Sequence, residues 1–457
     1  MATLDQARQS NASLNAYRPD YVAVFVGATS GIGEATTREL ATVVKKPTIY
    51  LVGRNEAIGS RIIDELKASN PEGSFHFIQS DVSLLRNVDE VCSEIKTHEK
   101  AVDLLFLSTG HLHMSKQDTK EGLENNHALR FYSRMRFIHN LLPLLNASTA
   151  PARVVSVLGP GTEGQIDETN LDLKKSWSFL SSAKYAATMN SLAMEHLAQQ
   201  HPSISFVHVF PGIVHTTLLD KTVGGFVAPV MKFLSRPFAL TLEQSGVWNT
   251  FISTSAAYPP AQPRDGARVG APLAEGLKTA AASTGKVGGG SYLVNYNGAD
   301  KTQTKLMADY RERGFPKKVW EHTLETFQRV LDPARKMGWN VDLSAITPGP
   351  GGTVMLGEGG IDAAARRYRE RVRKQQEEAD AVAKLKNGGA EKGSDAASEV
   401  TLTPGRDERD DGDRVSVEKK VAVEEGESQE GEEKRKNGKD KKKKGFREAW
   451  RGFRGVG

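Results

Sequence analysis

Short apolar runs alternate with amphipathic stretches through the first half of the chain. Strands buried on both faces form near-continuous apolar runs, whereas helices repeat their apolar residues at intervals of three and four. Because strands joined through single helices form parallel sheets with right-handed crossovers, the pattern predicts an α/β fold with a doubly wound parallel sheet, the Rossmann type. The strand pattern occurs in residues 21–27, 48–53, 75–80, 103–109, 153–158 and 205–210, and the helix pattern in 33–44, 58–69, 87–98 and 129–145.

The pattern is weaker after residue 217. We expect a single domain over residues 1–345, whose part from 218 to 340 forms a substrate loop and a C-terminal extension. The features predicted in that part are an irregular segment at 218–290 with an unstructured insertion at 258–286, a strand at 291–297 and a closing helix at 311–327.

The composition changes sharply beyond residue 345. Residues 346–360 are rich in glycine and proline and predict a linker. Residues 361–457 begin with a charged stretch of helical pattern and continue into a segment dominated by Glu, Lys, Gly, Asp and Ser. This segment has too few apolar residues to offset the entropy cost of ordering, so we expect a disordered charged C-terminal tail.

The composition of the whole chain limits the classes of function. A net charge of +5 over 457 residues is too mild to indicate nucleic-acid binding. The single cysteine, Cys92, excludes an internal disulfide framework and a cysteine-rich zinc site, and no metal is expected. Residues 1–20 lack the apolar core of a signal peptide, and no apolar run reaches the roughly 20 residues that span a membrane. We therefore expect a cytoplasmic protein.

A glycine-rich turn joins the first predicted strand to the first predicted helix. Its glycines are Gly27, Gly31 and Gly33, with Ser30 and Ile32 among them. Small residues let a pyrophosphate approach the backbone, and the helix N-terminus offers free N–H groups and a partial positive charge. A glycine-rich turn without a ligand is the alternative, but the strand before it and the helix after it favour a dinucleotide-binding turn.

The residues after the second predicted strand bear on the choice of cofactor. In NAD-binding units an acidic residue about 20 positions beyond the glycines holds the ribose 2′-hydroxyl. This chain has Arg54 and Asn55 there instead. An arginine at this place can pair with a 2′-phosphate through charge-assisted hydrogen bonds, so we expect NADP(H). A solvated surface arginine is the alternative.

Four later motifs follow the glycine turn and Arg54 in order along the chain, "SDVS", "LSTG", "VVSVLG" and "PGIVHT". Residues 20–220 thereby resemble the short-chain dehydrogenase/reductase family, and the likeness extends to its retinol-dehydrogenase-like branch and to short-chain reductases of fungal secondary metabolism. The resemblance implies a cofactor groove with Asp81 and Val82 at the adenine, Ser108 and Gly110 along its wall, and Pro211, Gly212, Ile213 and Thr216 at the nicotinamide amide.

The resemblance also implies a catalytic set, which this chain keeps only in part. In the family a tyrosine exchanges a proton with the substrate oxygen, a lysine four residues later lowers its pKa, and a serine orients the carbonyl. Ser156 matches the serine, but here Lys184 directly precedes Tyr185, and an ungapped count places the family's tyrosine and lysine on Ala183 and Ala187. Ser156, Lys184 and Tyr185 are the candidate catalytic residues, and a packed aromatic is the alternative for Tyr185.

Other side chains bear on the missing proton donor. The family's asparagine position falls on Arg130, which together with Arg134 predicts a basic, partly solvated helix face. A cation beside the cofactor is the alternative for Arg130. His111, His113 and Tyr132 could replace the donor, although a structural role is expected for each.

The leading prediction is an NADP(H)-dependent oxidoreductase acting on the carbonyl or alcohol of a lipophilic small molecule. A non-catalytic NADP(H)-binding sensor or scaffold is the alternative. Residues 439–457 place a lysine cluster beside an apolar stripe, which suits weak contact with an anionic membrane, with solvated disorder as the alternative. The resemblance also allows a homo-oligomer.

Overall fold

Seven parallel strands form the central sheet of the protein. The computed structural model describes residues 2–110, 113–214, 239–264 and 269–332. The sheet has the order β3-β2-β1-β4-β5-β6-β9, and all neighbouring strands run parallel, which confirms the predicted doubly wound fold. The strands are β1 (Val22–Val26), β2 (Thr48–Gly53), β3 (Ser74–Gln79), β4 (Leu104–Leu107), β5 (Arg153–Val157), β6 (Ser205–Phe210) and β9 (Ser291–Asn295), and β7 (Ile213–Val214) and β8 (Ala239–Leu240) form a separate parallel pair.

Helices cover both faces of this sheet. One face packs against α1, α2, α3 and α8, and the other against α4, α6, α7, α9 and α10. A π-helical turn, Ala128–Tyr132, connects α5 to α6, and a 3-10 helix covers Glu168–Asn170. The helices are α1 (Leu4–Tyr17), α2 (Gly31–Val43), α3 (Glu56–Ser69), α4 (Leu85–His98), α5 (Asn125–His127), α6 (Ser133–Ala147), α7 (Phe179–Gln200), α8 (Leu242–Thr254), α9 (Thr304–Glu312) and α10 (Phe315–Leu331).

Two helices lie where the sequence pattern predicted none. Helix α1 begins with a capping box, in which Thr3 and Gln6 each accept a hydrogen bond from the other's backbone N–H. Helix α8 lies inside the segment expected to be irregular. It is buried from Ser245 to Thr254, so it has no polar face and no amphipathic period to detect.

The segment 258–286 is also more ordered than expected. Arg153 of β5 is fully buried and donates hydrogen bonds to the carbonyls of Ile252, Ser255 and Tyr258. These bonds fix the end of α8 and the first residue of the segment, and backbone hydrogen bonds from Ala280 to Ala257 and from Ala282 to Lys286 hold its later part. As predicted, its described residues form no helix or strand, but they are held by these bonds and are not unstructured. The predicted closing helix is likewise two helices, α9 and α10, which meet at Gly314 with a φ of 65°.

The strand order reverses between β1 and β4, and this places the functional site. In open parallel sheets a ligand binds in the crevice that such a reversal opens beyond the carboxyl ends of the strands. The predicted linker at 346–360 and the tail at 361–457, including 439–457, lie outside the described residues. None of the helices in the described ranges is long and apolar enough to cross a membrane.

Candidate active site

The glycine turn leaves its backbone open to a ligand. Gly27 and Gly31 have φ values of 84° and 62°, which L side chains rarely adopt. A Cβ on Gly33 would lie 2.6 Å from the hydroxyl oxygen of Ser108, so this residue has to be glycine for β4 and α2 to pack. Ser30 precedes the first turn of α2 without a side-chain hydrogen bond to it. The first N–H groups of α2 are therefore free of a side-chain cap, and half-buried Ile32 lies among them.

The end of β2 carries the predicted 2′-phosphate contact. Gly53, the last residue of β2, packs against the side chain of Thr29 in the glycine turn, which brings the next residue beside that turn. Arg54 is exposed, and its guanidinium forms no ion pair with any of the described residues. Asn55 uses its Oδ1 to cap α3, accepting a hydrogen bond from the N–H of Ile58 at 2.9 Å. A cation and a side-chain amide thus face solvent beside the glycine turn.

The predicted adenine contacts lie after β3 at the same edge of the sheet. Asp81 is exposed, and its Oδ1 accepts a hydrogen bond from the N–H of Ser83 at 3.1 Å, whereas Val82 is buried. Ser108 donates to the carbonyl of Gly27 at 3.2 Å, and Gly110 has open space where a Cβ would be. These residues border the crevice beyond the carboxyl ends of β1, β2 and β4, which is called the cleft below.

The segment after β6 forms the other end of the cleft. Pro211 is half-buried, and Gly212 has a φ of 72° and lies against the ring of Tyr296. Ile213 is 41% exposed. Thr216 lies outside the described residues.

Ser156 lies below the cleft and not in it. Its side chain is fully buried in β5, accepts a hydrogen bond from Nη1 of Arg134 at 2.7 Å and donates one to Oδ1 of Asn190 at 3.0 Å. A hydroxyl has one hydrogen, and here it is committed to Asn190. In this arrangement Ser156 has no donor left for a substrate carbonyl, and its catalytic role remains a prediction.

Lys184 and Tyr185 point in different directions from α7. The Tyr185 hydroxyl is turned away from solvent and accepts a hydrogen bond from the N–H of Asp167 at 2.9 Å. The Lys184 stem packs on Gly164, and its side chain is exposed. The structure therefore does not bring Ser156, Lys184 and Tyr185 together, and the packed aromatic agrees with the geometry of Tyr185.

The positions expected for the family's tyrosine, lysine and asparagine carry Ala183, Ala187 and Arg130. A Cβ added to Gly159, after β5, would lie 3.9 Å from the Cβ of Ala187. Ala183 is half-buried on the same helix, four residues earlier. Arg130 lies in the π-helical turn that interrupts the helix before α6. Single π-turns of this kind are frequent at functional sites.

The predicted solvated basic face is wrong. Arg130 is 5% exposed and Arg134 is 1% exposed. Burial lowers the pKa of Arg130 to about 10, and burial together with the nearby Arg130 charge lowers that of Arg134 to about 9. The sequence did not indicate this burial. An arginine that can donate to several carbonyls can be buried without a carboxylate at helical spacing from it, so the sequence of the helix carries no sign of its burial.

Arg134 organises the ends of two central strands. Besides Ser156, its guanidinium donates hydrogen bonds to the carbonyls of Val157, at 2.9 Å, and Thr109, at 2.5 Å. Asn190 extends the network, because its Nδ2 donates to the carbonyl of Arg130 at 2.8 Å. A buried guanidinium whose acceptors are all neutral leaves a positive charge directly below the cleft.

The alternative donors take structural positions where they are described. The Tyr132 hydroxyl is buried and lies 2.9 Å from Nε2 of His322 in α10, and His113 is engaged by Asn126 through its backbone. His111 lies outside the described residues.

A second buried network holds the loop that follows β5, residues 158–164. The N–H of Gly159 donates to Nε2 of His208, so Nδ1 of that histidine carries the hydrogen and donates to Ser191 at 2.8 Å. Ser191 in turn donates to Glu163 at 2.7 Å. Burial raises the pKa of Glu163 and, together with the Arg134 charge, lowers that of His208 to about 3. The sequence signal for this network was weak, because its members come from β6, α7 and the loop itself.

Comparison with known proteins agrees with this architecture. The model of a family described as short chain dehydrogenase matches residues 21–224. A protein named oxidoreductase andH, from Emericella variicolor, is 50% identical over 334 residues that cover 73% of this chain and 99% of the relative. The short-chain dehydrogenase/reductase SAT2 of Stachybotrys chartarum is 29% identical over 335 residues, covering 68% of this chain and 92% of the relative. The likeness thus extends over nearly the full length of both relatives.

One solved structure among those that align with the chain is an L-sorbose reductase from Gluconobacter frateurii, complexed with NADPH and L-sorbose. It is 18% identical, with a TM-score of 0.41, over 52% of this chain and 91% of that chain.

Proposed function

The chain belongs to the short-chain dehydrogenase family and is an oxidoreductase with a nicotinamide cofactor, and we propose that it uses NADP(H) to interconvert a carbonyl and an alcohol on a lipophilic small molecule. The relatives are oxidoreductases by name, which favours an enzyme over a non-catalytic binding protein. A place in fungal secondary metabolism is part of the proposal and rests on the resemblance to fungal proteins.

The observation that carries the choice of NADP(H) is the position of Arg54. It is exposed, lies directly after the strand that packs on the glycine turn, and has no ion-pair partner among the described residues. The amide of Asn55 lies beside it. A guanidinium with five donors fits a 2′-phosphate, whereas an NAD-specific site needs a carboxylate at this place.

The residues of the cleft fit a dinucleotide. The backbone of Gly31, Ile32 and Gly33 would hold the pyrophosphate at the N-terminus of α2, and Val82 and Gly110 would border the nucleoside. When bound, the cofactor supplies or accepts the hydride. The protein residues supply the groove, the orientation and the exclusion of water from the reacting atoms.

Two apolar side chains are exposed on the elements that follow β5 and β6. Leu180, in the first turn of α7, is 60% exposed, and Ile213, after β6, is 41% exposed. The segment 217–240, mostly outside the described residues, contributes Val, Phe, Met and Leu by sequence. These features support a lipophilic substrate.

We further propose that Ser156 and Tyr185 position the site without touching the substrate. Ser156 does so through Arg134 and Asn190, and Tyr185 through the backbone of Asp167. Lys184, whose side chain is exposed beside Gly164, is the member of the predicted catalytic set that a ligand in the cleft can reach.

Titration of the purified protein with NADPH and NADH tests the cofactor assignment. Hydrogen bonds to charged groups contribute about 1.5–3 kcal/mol each, so Arg54→Ala should weaken NADPH binding by about 10- to 100-fold and leave NADH binding unchanged. Arg61→Ala is the matched control, because Arg61 is an exposed arginine of α3 paired with Glu65 at 3.3 Å. An Arg54→Ala variant that keeps the NADPH preference would contradict the assignment.

A further inference from the structure

Lys301 lies where the loop 158–164 meets the end of β6. After β9 the chain turns back on itself, and the N–H of Lys301 donates to the carbonyl of Leu293 at 2.8 Å. The Lys301 stem then crosses Gly161, where an added Cβ would lie 3.0 Å from the lysine Cδ. Its ammonium nitrogen ends 5.4 Å from the centre of the Phe210 ring. The backbone and stem of this lysine are thus held at the mouth of the cleft.

The surrounding acids are occupied by other partners. Asp300 accepts hydrogen bonds from the N–H and the hydroxyl of Thr302, at 2.9 and 2.6 Å. Glu163 accepts from Gly161, Ser191 and Gln303. Within the part of the chain that the structure describes, the half-buried Lys301 ammonium has no carboxylate partner.

Neighbouring cations of the same region behave differently. Arg311 pairs with buried Glu195 at 3.2 Å, and Arg313 pairs with Asp309 at 2.9 Å. Lys301 instead contacts an aromatic face, which attracts a cation but leaves its three N–H donors available. Because Phe210 is followed directly by the segment predicted to hold the nicotinamide amide, these donors lie next to that segment.

We propose that Lys301 is a specificity-determining residue that binds an acidic oxygen, a carboxylate or an ionised enol, on the lipophilic substrate. This inference rests on the proposed function and names the substrate class more closely. The buried Arg134 charge below the cleft acts in the same direction, because it favours negative charge in the space above it. A neutral substrate of the same shape would leave the Lys301 ammonium without an anionic partner.

Binding of a matched pair of probes tests the proposal. 2-Naphthoate and its neutral isostere 2-naphthamide are titrated into the protein with and without NADPH, by calorimetry, so that no turnover is needed. The carboxylate should bind to the NADPH complex about tenfold or more tightly than the amide, as one charge-assisted hydrogen bond contributes. Lys301→Met, which keeps the stem on Gly161, should remove this preference, and Lys301→Arg should retain it.

Lys305→Met is the control, because Lys305 is an exposed lysine of α9 four residues further along. Equal affinities for the two probes, no binding of either, or a preference that survives in Lys301→Met would each overturn the proposal. The same titrations report NADPH affinity. A protein that binds NADPH but does not discriminate between the probes contradicts the role of Lys301 alone, whereas one that does not bind NADPH contradicts the proposed function as well.

Discussion

Arg134 donates a hydrogen bond from Nη1 to the hydroxyl oxygen of Ser156 over 2.7 Å, and both side chains are shielded from solvent. The same guanidinium donates to the carbonyls of Val157 and Thr109 at the ends of β5 and β4, and its Nε donates to the carbonyl of Leu129 in the π-helical turn at 3.4 Å. The pair therefore joins the ends of β4 and β5 directly below the cleft.

Ser156→Ala should destabilise the fold. The substitution leaves a buried guanidinium N–H and the Asn190 carbonyl oxygen unpaired, at a cost of about 1–3 kcal/mol in the free energy of unfolding. Urea denaturation measures this, with Ser60→Ala, an exposed serine of α3, as the control. Unchanged stability combined with a loss of turnover of about 100-fold or more would instead mean that Ser156 contacts the substrate directly.

Tyr185→Phe should leave the chemical step nearly intact. Loss of a proton donor typically slows a reaction by about 10²–10⁴-fold, whereas loss of a hydrogen bond to a backbone N–H costs about 1 kcal/mol of stability. Tyr310 provides a comparison, because its hydroxyl accepts a hydrogen bond from the N–H of Ile166, next to the Asp167 N–H that Tyr185 binds, and also donates one to the carbonyl of Gly164 at 2.9 Å. Tyr310→Phe, which loses two hydrogen bonds, should lower stability more than Tyr185→Phe, and both variants should keep kcat within about threefold of wild type. A kcat that collapses in Tyr185→Phe alone would identify it as the donor.

The stability of the fold should fall as the pH drops below about 6.5. Burial, with a smaller contribution from the Arg134 charge, lowers the pKa of His208 to about 3. The unfolded chain takes up this proton near the ordinary value of 6.5, while the folded protein stays neutral, so unfolding is favoured between these two pH values. Protonation of His208 in the folded protein would also place a ring N–H opposite the N–H of Gly159, where the neutral ring offers an acceptor.

Urea unfolding at pH 7.5 and pH 5.0 measures this effect. His208 alone should account for about 2 kcal/mol of the stability lost between the two values. The stability of His208→Gln should therefore fall by about 2 kcal/mol less than that of the wild type over this range. Burial also lowers the pKa of His127 to about 3, but this histidine contributes equally to both proteins. Identical losses in the two proteins would contradict a neutral, buried His208.

The sheet and its flanking helices follow from the sequence because each strand is uniformly apolar and each surface helix has one apolar face. The pattern of apolar and polar positions gives no signal where burial is complete, as in α8, because a helix without a polar face has no amphipathic period. Helix α1 was missed for another reason. Its signal is local, in the reciprocal cap of Thr3 and Gln6, and not in an apolar stripe.

The site was harder to predict than the fold. The glycine turn is contiguous in sequence, so its residues could be named from spacing alone. Arg134 was misjudged because the carbonyls that hold it belong to β4 and β5, which become its neighbours only in the folded chain. Lys301 was not recognised because 140 residues separate it from Gly161, the residue over which its stem lies.

We propose that the cleft transfers hydride from NADPH to a carbonyl carbon. To test this, the full chain is incubated with NADPH that carries deuterium at both C4 positions and with a panel of lipophilic ketones, with and without an acidic group, and deuterium in the product alcohols is followed by mass spectrometry. We expect deuterium on the carbinol carbon for at least one acid-bearing ketone and a much lower yield with Arg54→Ala. Bound NADPH with no deuterium transferred to any member of the panel would contradict it.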